Sequence, residues 1–406
     1  MAVDANYDEG LIPSYDLPDP LVDSEGQPVQ SVEMWRQQRR PHILQLFEEH
    51  VYGRIPGPAS QTTAEILEEG AAFDGRAHRQ QIRLHFHGNG EHTHADILLY
   101  APTRATNPAP AFLGLSFFGN HAVTDDPAVL LSCAWMRPDA NSGIVDHRAS
   151  AASRGVNASR WSIERIIDSG YALVTAYCGD FDPDFDDGYA HGVHPLFFHP
   201  GQIQPAANEW GTIGAWTWGL RRILDFLEIC PQIDATRVAV MGHSRLGKTA
   251  LWAGATDERF AMVISNDSGC GGAALSRRRF GETIARINRT FPHWFCNNFR
   301  VYDDAEQTCP VDQHQLIALM APRPVYVASA TEDRWADPKG EFLAALHAGP
   351  VYELLGKQAL TIDRLPEGGK VCNDGDIAYH LRVGGHDVTD WDWQQWLYAA
   401  DRHLQA

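Results

Sequence analysis

The densest chemical signal in the chain is Gly242-His243-Ser244-Arg245-Leu246-Gly247-Lys248-Thr249. A mostly apolar run, Arg237–Met241, leads into it, and a helical stretch from Lys248 to Gly254 leads out. A sharp strand-to-helix turn lifts a serine hydroxyl above a sheet, and small neighbours let strand and helix approach closely. The start of the helix offers free N–H groups and partial positive charge to a developing oxyanion. The usual pattern is G-x-S-x-G. Here Leu246 takes the place of the second glycine, and Gly247 follows one position late. The plain alternative is a serine that merely caps a helix.

A serine hydroxyl is a poor nucleophile until a base takes its proton, and the base needs an acid to orient it. The chain order expected of an α/β-hydrolase is Ser, acid, His. After Ser244, Asp267 ends the first apolar run, and Glu332, Asp333 and Asp337 follow the run Val325–Ala330. His386 comes next, in Gly384-Gly385-His386-Asp387, between a strand-like Tyr379–Val383 and a last helix. His380 competes as base, but it starts a strand pattern.

The same eight residues also fit G-x-x-x-x-G-K-[ST], the phosphate-cradling loop of nucleotide triphosphatases. Met262–Asp267 then passes for a strand ending in a magnesium-binding aspartate. Three features weaken this reading. Several strands precede the loop, His243, Arg245 and Leu246 crowd the phosphate path, and the Ser, acid, His order goes unexplained.

Short, unalternating apolar runs must position these residues. They are Ala111–Phe118, Tyr171–Cys178, Arg237–Met241, Met262–Ser265 and Val325–Ala330, as expected of strands covered on both faces. Helical stretches lie between and after them, among them Gly211–Leu227 and Trp391–His403. The result is a doubly wound α/β layout. In front, 61–69, 79–87 and 94–100 alternate like strands, with a hairpin turn at Gly88-Asn89-Gly90. Residues 1–30 read as an extended lead-in, and 31–52 as helical apart from Pro41. Residues 31–406 are expected to form one catalytic domain with insertions at 119–160, 179–209 and 270–312. Long loops at strand ends are where sites are built.

Composition narrows the function classes. The 406 residues are 44% hydrophobic and 21% charged, which excludes a disordered or fibrous chain. No apolar run approaches the length of a membrane span. Lys and Arg total 33 against 52 Asp and Glu, a net charge of −19. Such a chain repels nucleic acid and anionic membranes. Seven scattered cysteines contain no C-x-x-C pair, which excludes a zinc ribbon. No disulfide pairing is assigned. Met1–Gly10 has neither a basic n-region nor an apolar h-region, so no signal peptide is expected in it.

At the elbow the chain resembles the glucuronoyl esterases, carbohydrate esterase family fifteen, above all the bacterial ones. Gly242–Lys248 match the family's G-[CH]-S-R-x-G-K. Further matching stretches are GLSFFGNH at 114–121, GDFDPDFDDG at 179–188, EWGTIGAW at 209–216 and SNDSGCGGAALSRRRFGET at 265–283. DRWADPKGEF at 333–342 and GGHDVTDWDWQQW at 384–396 complete the set. The resemblance spans roughly residues 30–405. It implies an α/β-hydrolase fold, a three-layer α/β/α sandwich with a mostly parallel central sheet. It also implies cleavage of esters between 4-O-methyl-glucuronic acid branches of xylan and lignin alcohols, through an acyl-enzyme and without cofactor or metal. A secreted or periplasmic monomer is expected.

By the resemblance, Ser244 is the nucleophile and His386 the base. Arg245 stabilises the oxyanion by backbone and side chain. Lys248 and Glu282 contact sugar hydroxyls, and Trp335 faces the sugar. The acid follows the elbow helix in some members and the later strand in others. This chain has both, Asp267 and Asp333, and Asp333 is favoured because it holds the general hydrolase position. The chemistry is consistent. The ester is neutral, so an acidic protein does not repel it, and a guanidinium beside the serine stabilises charge where it develops. Losing one such donor typically costs about 2.7–4 kcal/mol.

Other features have bland readings beside functional ones. His85, His87, His92 and His94 share one face of the hairpin, which suits a transition metal or a solvated polar surface. Asp180, Asp182, Asp184, Asp186 and Asp187 alternate as if for calcium, but the EF-hand spacing fails, so capping and salt bridging are favoured. Trp216 and Trp294 either stack on sugars or fill the core. The enzyme rival is an acetyl-xylan or general carboxylesterase with the same triad. The rival outside enzymes is a carbohydrate-binding module, which would tolerate Ser244→Ala.

Overall fold

The computed structural model describes residues 5–105, 108–138 and 142–405, which fall into two compact units. One unit comprises Ile55–Pro205, Ala215–Val240 and Val388–Ala406. It holds β1 (Gln61–Ala72), β2 (Ala77–Gly88), β3 (Glu91–Pro102), β4 (Ala109–Ser116), β5 (Ala172–Tyr177) and most of β6 (Ile233–His243). Their order is β1-β2-β3-β5-β4-β6. Every residue of β4 and β5 is buried, which accounts for their unalternating apolar sequences. The strands β1, β2 and β3 run longer than their alternating segments. The antiparallel hairpin of β2 and β3 joins the sheet, because β3 pairs antiparallel with β5 from Ile97↔Ala176 to Tyr100↔Leu173. Asn89 (φ 50°) and Gly90 (φ 84°) both take the left-handed conformation that a two-residue hairpin turn requires.

The hairpin places His85 opposite His94 and His87 opposite His92, with ring centroids 6.2 and 6.0 Å apart. These histidines do not converge as metal ligands. Among the described residues, the one His/Cys/Asp/Glu group with all ligand atoms within 4.8 Å is Asp267, Asp333 and His386. The aspartate run also diverges. Asp180 accepts from the Asp96 N–H at 3.1 Å, Asp187 pairs with His191 at 2.6 Å, and Asp182 faces His194 at 3.4 Å. Trp216 is wholly buried and donates its indole N–H to the Asp182 carbonyl. That placement removes it from the sugar-stacking candidates. The closing helix Asp390–Leu404 starts at Thr389, whose side chain and that of Asp392 form a reciprocal cap.

The other unit comprises Met1–Arg54, Ala206–Gly214 and Met241–Asp387. Its strands are β7 (Met262–Asn266), β8 (Val325–Ala330), β9 (Lys370–Cys372) and β10 (Ile377–Arg382), in the order β7-β8-β10-β9. The strands β7, β8 and β10 are mutually parallel. The three-residue β9, antiparallel on β10, has too little sequence to carry a pattern. The elbow helix Arg245–Thr256 is buried from Leu246 to Ala255. Residues Val32–Tyr52 wind helically without a break at Pro41. A π-turn over Trp35–Arg39 comes first, and Pro41 falls in the first turn of the α segment Arg40–Phe47, where its missing N–H is harmless. All seven cysteines are free thiols. Among the described residues no helix is long and apolar enough to cross a membrane.

Candidate active site

Four residues of the second unit follow the carboxyl ends of strands: Ser244 after β6, Asp267 after β7, Asp333 after β8 and His386 after β10. In open α/β sheets these ends carry the chemistry. Ser244 sits at φ 58° and ψ −129°, a conformation that ordinary side chains avoid. Its neighbours explain how the turn is held. A Cβ on Gly242 would come within 1.9 Å of the Leu246 carbonyl oxygen, so only glycine fits there. The late glycine also has a packing reason. A Cβ on Gly247 would lie 3.0 Å from the Ser268 Cβ, on the loop that carries Asp267. The Ser244 N–H donates to the Asn266 carbonyl at 2.9 Å.

His386 Nδ1 lies 2.6 Å from Asp333 Oδ2. The His386 ring also packs on His243, the residue before the serine, at 4.4 Å between centroids. Asp267, at φ 46° and 2% exposed, flanks the same pair. Its Oδ2 accepts from Asn266 at 3.1 Å and stands 3.7 Å from Arg382 Nη2. Among the described residues Ser244 Oγ has no hydrogen-bond partner, His386 included. In unliganded enzymes this bond is often long and tightens when substrate arrives. Arg245 opens the elbow helix, with its side chain part-buried beside the serine.

Lys248 is 4% exposed, and its ammonium donates to the Ser268 carbonyl at 2.5 Å and the Cys270 carbonyl at 2.6 Å. Its Nζ lies 3.8 Å from Glu282 Oε2. An ammonium so engaged is not poised over an open phosphate path, which leaves the nucleotide-binding reading without its lysine. Burial raises the Glu282 carboxyl above the usual range, and Lys248 offsets part of that. The Glu282 N–H donates to the Trp335 carbonyl at 3.0 Å. Trp335 is 38% exposed, as a sugar-facing aromatic must be. Trp294 is buried and stacks on Phe291 at 3.7 Å, so it belongs to the core.

Three positioning groups carry no motif. Arg382 Nη2 donates to the carbonyls of Gly385 (2.7 Å) and Asp387 (3.0 Å), clamping the His386 loop from both sides. Asn266 reaches His243 Nδ1 at 2.9 Å and the Asp387 carbonyl at 3.0 Å. Glu341 is fully buried, and its Oε1 accepts from the N–H groups of Ser268 (2.7 Å) and Gly269 (2.9 Å). Its Oε2 lies 2.5 Å from Ser329 Oγ.

Burial pushes the Glu341 carboxyl up to about 8. The folded chain therefore holds a proton there that the unfolded chain loses from about pH 4.5 upward. Stability falls as pH rises through that window. Glu341→Gln removes this contribution, so the melting temperature of the variant relative to wild type rises steadily between pH 5 and pH 8. Thermal melts across that range check it, and a difference that stays flat would overturn it.

Comparisons with known proteins point one way. A family model described as glucuronyl esterase of fungi matches residues 198–356. A carbohydrate esterase, MZ0003, from an unknown prokaryotic organism is 48% identical over 399 residues, covering 98% of this chain and 92% of its own length. A solved structure described as a promiscuous CE15 esterase from the marine bacterial metagenome is 48% identical. It aligns with a TM-score of 0.92 over 98% of this chain and all of its own. The glucuronoyl esterase of Solibacter usitatus is 44% identical with a TM-score of 0.91, covering 97% of this chain and 99% of that one.

Proposed function

Because the chain belongs to the bacterial-type glucuronoyl esterases and is a carboxylic ester hydrolase of α/β-hydrolase fold, we propose that it cleaves glucuronoyl esters by a Ser244, His386 and Asp333 triad. The observation that carries this reading is the 2.6 Å contact of His386 Nδ1 with Asp333, set beside a strained serine elbow. Asp333 holds the Nδ1 proton, leaving Nε2 to accept the Ser244 proton as Oγ attacks the ester carbonyl. The oxyanion forms against the first turn of the elbow helix and Arg245. His386 then returns the proton to the departing alcohol. A water activated by the same imidazole releases the uronate from Ser244.

Glu282 and Trp335 grip the sugar, and Lys248 braces the loop that carries Asp267 while facing Glu282. The natural substrate is a glucuronoxylan–lignin ester, acted on outside the cytoplasm by a monomer. Fungal relatives, among them one of Phanerochaete carnosa that is 26% identical, are named 4-O-methyl-glucuronoyl methylesterases. A broader carboxylic esterase is the second reading, favoured by the marine relative, which is described as a promiscuous esterase.

Hydrolysis of benzyl glucuronate beside a simple acetyl ester separates the two. The glucuronate ester is expected to react faster. Glu282→Gln should lower its kcat/KM by about 10–100-fold, as for one hydrogen bond to a charged partner, and leave the acetyl ester untouched. Equal losses on both esters, or cleavage of the acetyl ester alone, would discard the uronate reading.

A further inference from the structure

Beside Trp335 opens a cleft of about 1150 Å³. Arg279, Arg286 and Arg289 line it together with Trp335, and Tyr7 and Leu11 of the lead-in form a wall. The wall is fastened. Gly281 N–H donates to the Asn6 carbonyl at 2.9 Å, and Glu9 pairs with Arg278 and with Lys339, each at 2.7 Å. The Tyr7 ring meets Phe280 edge-on at 6.0 Å. Gly281 and Trp335 line the cleft and flank Glu282 in sequence and by hydrogen bond, so the cleft adjoins the sugar pocket.

Its charge runs against that of the chain. The charged groups lining it are three arginines and Asp304, in a protein of net charge −19. Asp304 is already shared by Arg279 at 2.9 Å and Arg289 at 3.3 Å. Arg286 has no carboxylate within 4.0 Å among the described residues. Its guanidinium lies over the Trp335 ring, 5.9 Å from the centroid, and it is exposed. The ester to be cleaved is neutral, so this cation has no partner in the reacting group. A guanidinium beside an exposed indole matches a sugar that carries a free carboxylate, by paired N–H···O bonds and ring contact.

We propose that this cleft is a subsite for a second, unesterified uronate on the same polysaccharide, with Arg286 as its carboxylate anchor. The proposal rests on the glucuronoxylan reading, and it deepens it. Xylan segments with free uronate branches near the ester are then preferred over bare ones. The preference is electrostatic and solvent-facing, so it is modest and weakens with salt.

The test uses three substrates: benzyl glucuronate, a xylo-oligosaccharide with one esterified glucuronate, and the same oligosaccharide with one additional free glucuronate. Wild type is expected to favour the third over the second by about three- to tenfold in kcat/KM, through KM. Arg286→Gln should erase that preference, Arg286→Lys should keep part of it, and high salt should suppress it in wild type. Because the Arg286 charge also acts on the Glu282 carboxyl, benzyl glucuronate is the reference against which each protein's rates on the two oligosaccharides are divided. Equal wild-type rates on the two oligosaccharides, or an equal loss on all substrates in Arg286→Gln, would overturn the subsite. Failure of wild type on benzyl glucuronate would instead sink the esterase reading. Calorimetry with an unesterified oligosaccharide bearing two uronates then judges the cleft alone. Binding lost in Arg286→Gln supports it, and no binding overturns it.

Discussion

Ser244→Ala lowers kcat on benzyl glucuronate by about 10⁴-fold or more while the protein stays folded. The substitution removes one oxygen and keeps the Cβ, so the elbow at φ 58° and ψ −129° is no more strained than before. The Gly242 fit against the Leu246 carbonyl is untouched. What disappears is the atom that forms the acyl-enzyme. Oxyanion donors and binding remain, which is why a residual rate above the uncatalysed one is expected. Steady-state kinetics with a melting curve decide the matter. Activity within tenfold of wild type, in a protein of unchanged melting temperature, would remove Ser244 from the mechanism and make the elbow a helix cap.

Asp333→Asn is expected to lower kcat by about 10³–10⁴-fold, and Asp267→Asn by far less, roughly ten- to a hundredfold. The difference follows from geometry. Asp333 touches His386 Nδ1 at 2.6 Å, so its amide would present an N–H to the ring or drive the wrong tautomer. Asp267 flanks the pair and holds Asn266 and Arg382. Without its charge, Arg382 still grips the carbonyls of Gly385 and Asp387, so the loop keeps its place. The same assay with both single variants checks this. A larger loss in Asp267→Asn would reverse the assignment of the acid.

The candidate triad residues stood out in the sequence because each follows an apolar run, and a strand buried on both faces advertises itself. Ser244, Asp333 and His386 also stand in an order that few folds would require. The groups that hold them were not legible. Arg382 and Asn266 sit within buried strands, and Glu341 lies in a helix where a glutamate reads as solvated. Only tertiary contact gives them partners. Exposure was equally hidden: Trp216, Trp294 and Trp335 look alike in sequence, yet just the last reaches solvent. At Pro41 the local rule failed because a π-turn had already displaced the hydrogen bond that proline breaks.

The spacing of the strand ends also orders events in time. A ribosome builds Ser244 well before Asp333 and His386, and β8 and β10 must form before those two can meet the serine. On the proposed triad, a half-made chain carries the nucleophile without its base. On that reading, hydrolytic power arrives only once the last parallel strand, β10, is in place. A chain cut ahead of β10 would then keep the serine and lack its base, so an esterase assay reports that β10 and the His386 loop have been made.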